Sequence, residues 1–131
     1  MMVQASFSAE RISNRGFTAT IDALVREIDA AGMTIFFRID HAAAAAAAGL
    51  SMPPTTVIFY GNARGGTPVM LAAPRAALDL PLRVLVREEG EGRVIVAFHP
   101  VAEILERAGV SAALAAGLSH AQLALMDRIE A

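Results

Sequence analysis

Two segments in the second half of the chain alternate between apolar and polar residues, and a short glycine-rich turn separates them. They are residues 82–88 and 93–99, and the turn between them reads Glu-Gly-Glu-Gly. A period of two is typical of a strand with one buried face, and two such runs joined by a glycine turn predict a β-hairpin. The buried face would carry Val84, Val86, Val94, Val96 and Phe98. The other face would carry Arg83, Arg87 and Arg93.

The first third of the chain favours a strand, a helix and a second strand. Residues 3–8 are a weakly alternating run typical of an edge strand. Residues 17–31 place apolar side chains at helical spacing, and Gly32 follows them as a residue typical of a helix end. Residues 33–39 return to a period of two, which predicts a strand. One face of that strand would carry Ile35, Phe37 and Ile39.

The middle of the chain predicts two short helices around a third strand. Asp40 is placed to cap an alanine-rich helix at residues 41–48. Residues 56–60 are rich in β-branched and aromatic side chains, which favour a strand. Thr67 is followed by a proline, a pair typical of an N-cap and first helical position, so a helix is expected at residues 68–72.

The C-terminal part of the chain favours helices. Residues 101–108 carry an apolar stripe at helical spacing, and Ser111 is placed to cap the next helix. Ser119 and Gln122 have the spacing of a capping box, in which each side chain would bond the other's backbone. The sequence therefore predicts that the last helical stretch breaks near Gly117 and restarts.

These elements predict an α+β fold in one domain over residues 1–131, with about five strands in a mostly antiparallel sheet and helices packed on one face. The second face of such a sheet is expected to be partly apolar. Because apolar surface of this kind is commonly covered by a second copy, we expect a homodimer.

Composition excludes several functional classes. There is no cysteine or lysine, which removes disulfides, thiol chemistry, cysteine metal sites and Schiff-base chemistry. The basic residues are arginines scattered along a chain of net charge −2, and the few aromatic residues are dispersed, so no nucleic-acid partner is expected. No apolar run approaches the length needed to span a bilayer, and no export signal is evident. We therefore expect a cytoplasmic protein without a membrane partner.

Several short motifs resemble the bacterial family called domain of unknown function 302. They are Asp40-His41, Gly49-Leu50, Met52-Pro53, Phe59-Tyr60-Gly61-Asn62, Gly66-Thr67-Pro68 and Leu78-Asp79-Leu80-Pro81-Leu82-Arg83. The resemblance implies a single α/β domain, similar in arrangement to the TATA-binding-protein fold, that forms dimers; it implies no activity. The chain departs from the family pattern at Ala63, where a proline usually follows the Gly-Asn pair, and in its alanine-rich second helix.

The loop from Gly61 to Thr67 is the first candidate site. Its glycines could turn backbone amides toward an anion beside the start of a helix, although the lysine of a phosphate-binding loop is missing. Arg83 could add a guanidinium fork for an acidic metabolite. The ligand-binding residues predicted on this basis are Asn62, Gly66, Thr67 and Arg83. The alternative is a structural turn, with Arg83 in an ion pair with Asp79.

Three residues are weak catalytic candidates. Asp40 and His41 could form an acid/base pair, but a capping role for Asp40 would occupy its carboxylate. Asp79 is the third. The three histidines have no metal-binding spacing, so neither a metal nor another cofactor is expected.

Two functional hypotheses follow from the sequence. The favoured one is a non-enzymatic domain that binds a small ligand, an acidic metabolite for example, or a protein partner. The alternative is an enzyme of unassigned reaction that uses Asp40, His41 or Asp79 in a cleft.

Overall fold

The computed structural model describes residues 8–130, with only the backbone described at residue 130. The strands of this part are β1 (Ala9–Ser13), β2 (Thr34–Asp40), β3 (Thr55–Gly61), β4 (Leu82–Glu88) and β5 (Val94–Phe98). The α-helices are α1 (Phe17–Ala30), α2 (His41–Ala47), α3 (Ala63–Ala72), α4 (Val101–Arg107) and α5 (Ala112–Glu130). Two 3₁₀ turns lie at Pro74–Asp79 and Gly90–Gly92. The edge strand predicted at residues 3–8 falls almost wholly outside the described residues.

The strands form one antiparallel sheet in the order β1-β5-β4-β3-β2. Strands β2 to β5 are a meander, and α1 carries the chain from β1 at one edge to β2 at the other. The predicted α+β fold with a five-stranded antiparallel sheet is confirmed. The arrangement similar to the TATA-binding-protein fold stays a prediction.

The hydrophobic core lies between one face of the sheet and the helices. The predicted hairpin contributes its alternate residues as expected, since Val84, Val86 and Val96 are fully buried. Helix α1 adds Leu24 and Ile28. Burying apolar surface on this face supplies most of the driving force for folding. The core residues of α5 are Ala115, Leu118, Leu125, Met126 and Ile129.

A bulge in β2 changes which of its side chains face the core. The register shifts between Ile35 and Phe37, so Ile35 lies opposite Tyr60 on the helix-covered face, whereas Phe37 lies opposite Phe59 on the other face. The prediction that Ile35, Phe37 and Ile39 share one face is therefore wrong. A bulge adds one residue to a strand and shifts the alternation beyond it.

The helices cover one face of the sheet, and the opposite face is called the open face below. Across its centre, the hydrogen-bonded register aligns Ala97, Leu85, Val57 and Ile39. A neighbouring row aligns Arg83, Phe59 and Phe37. Phe37 is 51% exposed, and its ring stacks on that of Phe59 with centroids 4.4 Å apart. The centre of the open face is thus apolar, with charged side chains such as Arg83 and Arg87 beside it.

Helix α5 runs unbroken through Gly117, so the predicted break and capping box are wrong. Instead of capping α5, the buried side-chain amide of Gln122 makes hydrogen bonds to the backbone of the segment that connects β5 to α4. Its Oε1 accepts a hydrogen bond from the Val101 amide at 2.8 Å, and its Nε2 donates one to the His99 carbonyl at 3.0 Å. Because Pro100 at the start of α4 has no capping side chain, Gln122 caps that helix from a distance. Ser111 does accept a hydrogen bond from the Leu114 amide, as predicted.

We expect Gln122→Met to lower the free energy of unfolding by about 1–3 kcal/mol, because two backbone groups lose their buried partners while the volume is nearly kept. Ser119→Ala, one turn earlier in the same helix, should change it by less than about 0.5 kcal/mol, because the Ser119 hydroxyl makes no capping bond within the described residues. Denaturant titration of both variants measures the difference. Equal destabilisation by the two substitutions would contradict the assigned role of Gln122.

Candidate functional site

A cavity of about 410 Å³, called the pocket below, lies where β3 passes into α3. Its walls are mainly apolar side chains from β2, α3, α5 and the segment that leads into β4. The lining residues are Phe36, Phe37, Gly61, Asn62, Ala63, Gly66, Thr67, Met70, Leu80, Pro81, Leu82 and Leu118. Cavities of this size with few polar groups are typical of small-molecule sites.

Asn62 sets the start of α3 and one side of the pocket. Its backbone is extended, and its Oδ1 accepts a hydrogen bond from the Gly65 amide at 2.6 Å. The helix therefore begins at Ala63, and the prediction of Thr67 as the cap of a helix at residues 68–72 is wrong. The reason is that an asparagine side chain satisfies the free amides of a first turn well, and it occurs earlier in the chain than the Thr-Pro pair.

The two glycines of α3 meet different surroundings. A Cβ atom at Gly65 would lie 3.1 Å from the Asn62 Oδ1 and 3.2 Å from a Leu118 methyl, so the absence of a side chain there permits close packing. A Cβ atom at Gly66 would lie 3.7 Å from the Met70 Cε and 3.8 Å from the Leu80 Cδ1, which is ordinary contact. Both of these neighbours line the pocket. A methyl group at residue 66 would therefore fit, but it would occupy pocket space.

The pocket offers two hydrogen-bonding side chains. The Thr67 hydroxyl makes no hydrogen bond within residues 8–130, and the Asn62 side chain uses its oxygen for the helix cap. The Nδ2 group of Asn62 is therefore a donor without a protein acceptor in this part of the chain. An apolar ligand with one hydrogen-bond acceptor matches these walls.

A second cavity of about 340 Å³, called the cleft below, lies between the first 3₁₀ turn, the start of β4 and α4. Pro81 and Leu82 line both cavities. Arg83 lines the cleft and not the pocket, so the structure brings together Asn62, Gly66 and Thr67 but separates Arg83 from them. The complete lining is Arg75, Leu78, Asp79, Pro81, Leu82, Arg83, His99, Val101, Ile104, Arg107, Ala108 and Gln122.

Arg83 does not pair with Asp79 in the structure, although the sequence left this ion pair open. Its guanidinium carbon lies 5.1 Å from the centroid of the Phe59 ring, a cation–π contact on the open face. Within the part of the chain that the structure describes, Asp79 takes part in no ion pair. Both residues line the cleft.

The other two acid/base candidates lie outside both cavities. Asp40 caps α2, since its Oδ1 accepts a hydrogen bond from the Ala43 amide at 2.9 Å. His41 is exposed at the first position of that helix. The structure therefore does not bring Asp40 and His41 together with Asp79. Among residues 8–130, no group of three acidic or histidine side chains is arranged to hold a metal ion.

The clearly perturbed titratable groups of the described chain belong to the sheet. Burial raises the pKa of the Tyr60 hydroxyl well above its usual value, and this hydroxyl has no hydrogen-bond partner among residues 8–130. Near the hairpin turn, hydrogen bonds from Arg87 and then Arg93 lower the pKa of the Glu89 carboxyl. Glu89 and Glu10 in turn raise the pKa of Arg87. None of these groups lines either cavity.

Sequence reasoning missed most of the cleft. Arg75, His99 and Arg107 come from three separate elements, and no local motif connects them. It also missed Met70 and Leu118, which form pocket walls from two different helices. A glycine pair inside an otherwise helical segment was the one local signal of the pocket, because glycine is unfavourable in a helix unless its missing side chain is needed.

The structure is thus an α+β fold with two neighbouring cavities. The family model described as "Domain of unknown function DUF302" matches residues 9–130. The chain belongs to this family, as its motifs indicated. No helix within residues 8–130 has both the length and the apolar character required to cross a membrane.

The chain is also similar to part of longer proteins named as ion channels. It is 37% identical over 95 residues to the fluoride-specific ion channel FluC 1 of Brucella suis biovar 1 and to that of Brucella abortus biovar 1. The matched segment is 72% of this chain but only 37% and 35% of those proteins. The chain thus corresponds to about a third of the length of these relatives.

A solved structure has the same fold. The crystal structure of a conserved DUF302 protein from Bacillus stearothermophilus matches 95% of this chain and 99% of its own, with a TM-score of 0.86. The sequence identity is 17%, so this likeness concerns the fold alone.

We expect Asn62→Ala to lower the free energy of unfolding by about 1 kcal/mol, because the first turn of α3 loses its cap. Thr67→Ala should have a much smaller effect, because the hydroxyl of Thr67 is exposed and makes no bond within the described residues. Thermal and denaturant unfolding of the two variants test the assignment. If Thr67→Ala lowered the free energy of unfolding more than Asn62→Ala, the result would contradict this assignment and support Thr67 as the helix cap.

Proposed function

We propose that this protein is a non-enzymatic binding domain whose pocket holds a small ligand with an apolar body and one hydrogen-bond acceptor. The observation that carries the proposal is Gly66. Alanine is favoured over glycine inside a helix by about 1 kcal/mol, and the structure has room for the methyl group. A glycine at this position therefore lowers stability and keeps the pocket open.

The walls of the pocket support the chemical class of the ligand. Met70, Leu80 and Leu118 offer an apolar surface, and methionine adapts well to differently shaped ligands. Asn62 and Thr67 supply donors at one side. An acceptor such as a carbonyl oxygen would satisfy them, and leaving such donors unpaired on burial would cost binding free energy.

The enzyme alternative has weaker support. The carboxylate of Asp40 is occupied as a helix cap, and His41 is exposed. Neither residue lines the pocket or the cleft. General acid/base catalysis requires both groups within hydrogen-bond reach of one substrate. Asp79 lines the cleft, where arginines outnumber it.

We expect Gly66→Ala to raise the free energy of unfolding by roughly 0.5–1 kcal/mol and to weaken binding of 2-octanone, a neutral probe with an apolar body and a carbonyl, by at least about fivefold. The added methyl group contacts Met70 and Leu80 and fills pocket space. Isothermal titration calorimetry and thermal unfolding give the two quantities.

Gly117→Ala is the matched control for this experiment. Gly117 is an exposed helical glycine of α5 with no atom within 4 Å of an added Cβ. The Gly117→Ala substitution should raise the free energy of unfolding to a similar extent and leave binding of 2-octanone unchanged. Equal ketone binding by Gly66→Ala and the unaltered protein, or no saturable binding to either, would contradict the proposal.

We further propose that two copies of the chain associate through the open face. Its central row of Ala97, Leu85, Val57 and Ile39 is apolar, and the Phe37 side chain at its margin is half exposed. A patch of this kind suits an isologous dimer, in which the same surface of both copies is covered.

We expect Phe37→Ser to shift the protein toward a 13.7 kDa species in sedimentation velocity at micromolar concentration, with the unaltered protein at twice that mass. The substitution removes a large apolar side chain from the proposed interface while sparing the core. Leu71→Ser is the control, because Leu71 is 78% exposed on α3 and lies off the open face. A monomeric unaltered protein, or equal dissociation in both variants, would rule out this interface.

A further inference from the structure

Two adjacent phenylalanines, Phe36 and Phe37, form the pocket wall that β2 supplies. Neighbouring residues of a regular strand point to opposite faces, but the bulge between Ile35 and Phe37 breaks this alternation, and both phenylalanines line the same cavity. Each of them is 51% exposed. Because burial of a large apolar side chain is favourable, a ligand that covers these two gains binding free energy from them.

The ring of Phe37 is the last member of an ordered stack. Its centroid lies 4.4 Å from that of Phe59, and the two ring planes differ by 18°, so the rings are nearly parallel. The Arg83 guanidinium carbon lies 5.1 Å from the Phe59 centroid. Since β3 lies between β2 and β4, Arg83 and Phe37 lie on opposite sides of Phe59. Within residues 8–130, the second face of the Phe37 ring has no aromatic or cationic partner.

A phenylalanine ring with one free face favours a planar aromatic group over a saturated one. Aromatic rings attract each other in offset-stacked and edge-to-face arrangements, and such a pair adds roughly three- to tenfold in affinity beyond the burial of the same area. The contact with Phe59 restricts the Phe37 ring before any ligand binds. A side chain that is already ordered loses less conformational entropy on binding.

The hydrogen-bonding groups of the same pocket come from a different segment. Asn62 and Thr67 belong to the end of β3 and to α3, whereas the two phenylalanines belong to β2. A ligand that contacts both walls therefore needs a flat ring and an acceptor joined directly to each other. A cavity of about 410 Å³ has room for an aromatic ring that carries a carbonyl group.

We infer that the ligand of the pocket is an aromatic carbonyl compound, with its ring stacked on Phe37 and its oxygen bonded by Asn62 or Thr67. This inference rests on the proposed function, because it names the ligand class of the same pocket. It adds a preference that an apolar body alone does not explain. A saturated ring exposes more apolar surface to water than an aromatic ring of the same size, so burial alone favours the saturated ligand.

The test compares acetophenone with cyclohexyl methyl ketone in isothermal titration of the full chain. The two ketones have the same numbers of carbon and oxygen atoms and differ in whether the ring is aromatic. We expect acetophenone to bind about three- to tenfold more tightly. Equal binding of the two ketones, or tighter binding of the saturated one, would overturn the inference and leave the proposed function standing.

Phe37→Leu keeps an apolar side chain but removes the ring, so the preference for acetophenone should disappear. Phe17→Leu is the matched control, because it makes the same change in α1 outside the pocket lining, and it should leave both affinities unchanged. The measured quantity is a ratio of two dissociation constants, so a change in self-association that affects both ketones alike does not alter it. Thermal unfolding shows whether each variant keeps its fold.

Two further outcomes separate this inference from the function on which it rests. A preference for acetophenone that persists in Phe37→Leu would overturn the stacking on Phe37 alone. The absence of saturable binding of both cyclic ketones and of 2-octanone would overturn the proposed function and this inference together.

Discussion

The uninterrupted course of α5 is the constraint on which both cavities depend. This helix packs against α1, α3, α4 and β1, so it holds the helical layer together over the sheet. Leu118 and Gln122 lie four residues apart and therefore on the same side of the helix. Leu118 lines the pocket and Gln122 lines the cleft. A helix that broke at Gly117 would not place these two side chains one turn apart on a rigid element.

The parts of the fold that depend on local patterns could be predicted from the sequence. The hairpin, the long first helix and the antiparallel sheet follow from apolar periodicity and glycine turns, which act within a few residues. The errors arose where a distant contact or a competing local group decided the outcome. Gln122 looked like a capping-box residue but bonds the backbone around Pro100, more than twenty residues away. Packing along α5 likewise outweighs the low helix propensity of Gly117.

The pocket could also be predicted from the sequence where its residues lie close together in the chain. Asn62, Gly66 and Thr67 lie within six residues of one another, and the structure places all three around one cavity. Arg83 was also assigned to that cavity, yet its guanidinium lies over the Phe59 ring on the open face, and Arg83 does not line the pocket. The arginines that line the cleft come from separate elements that meet only in the folded chain. The sequence therefore shows that these arginines are present but not that they line one cavity.

The most direct test of the pocket is a titration with 2-octanone followed by nuclear magnetic resonance. The signals to record are the Leu118 methyl groups and the Gln122 side-chain amide. The account predicts that 2-octanone shifts the Leu118 signals saturably and leaves the Gln122 signals, which belong to the cleft, unchanged. The absence of a response at Leu118, or an equal response at both residues, would contradict it.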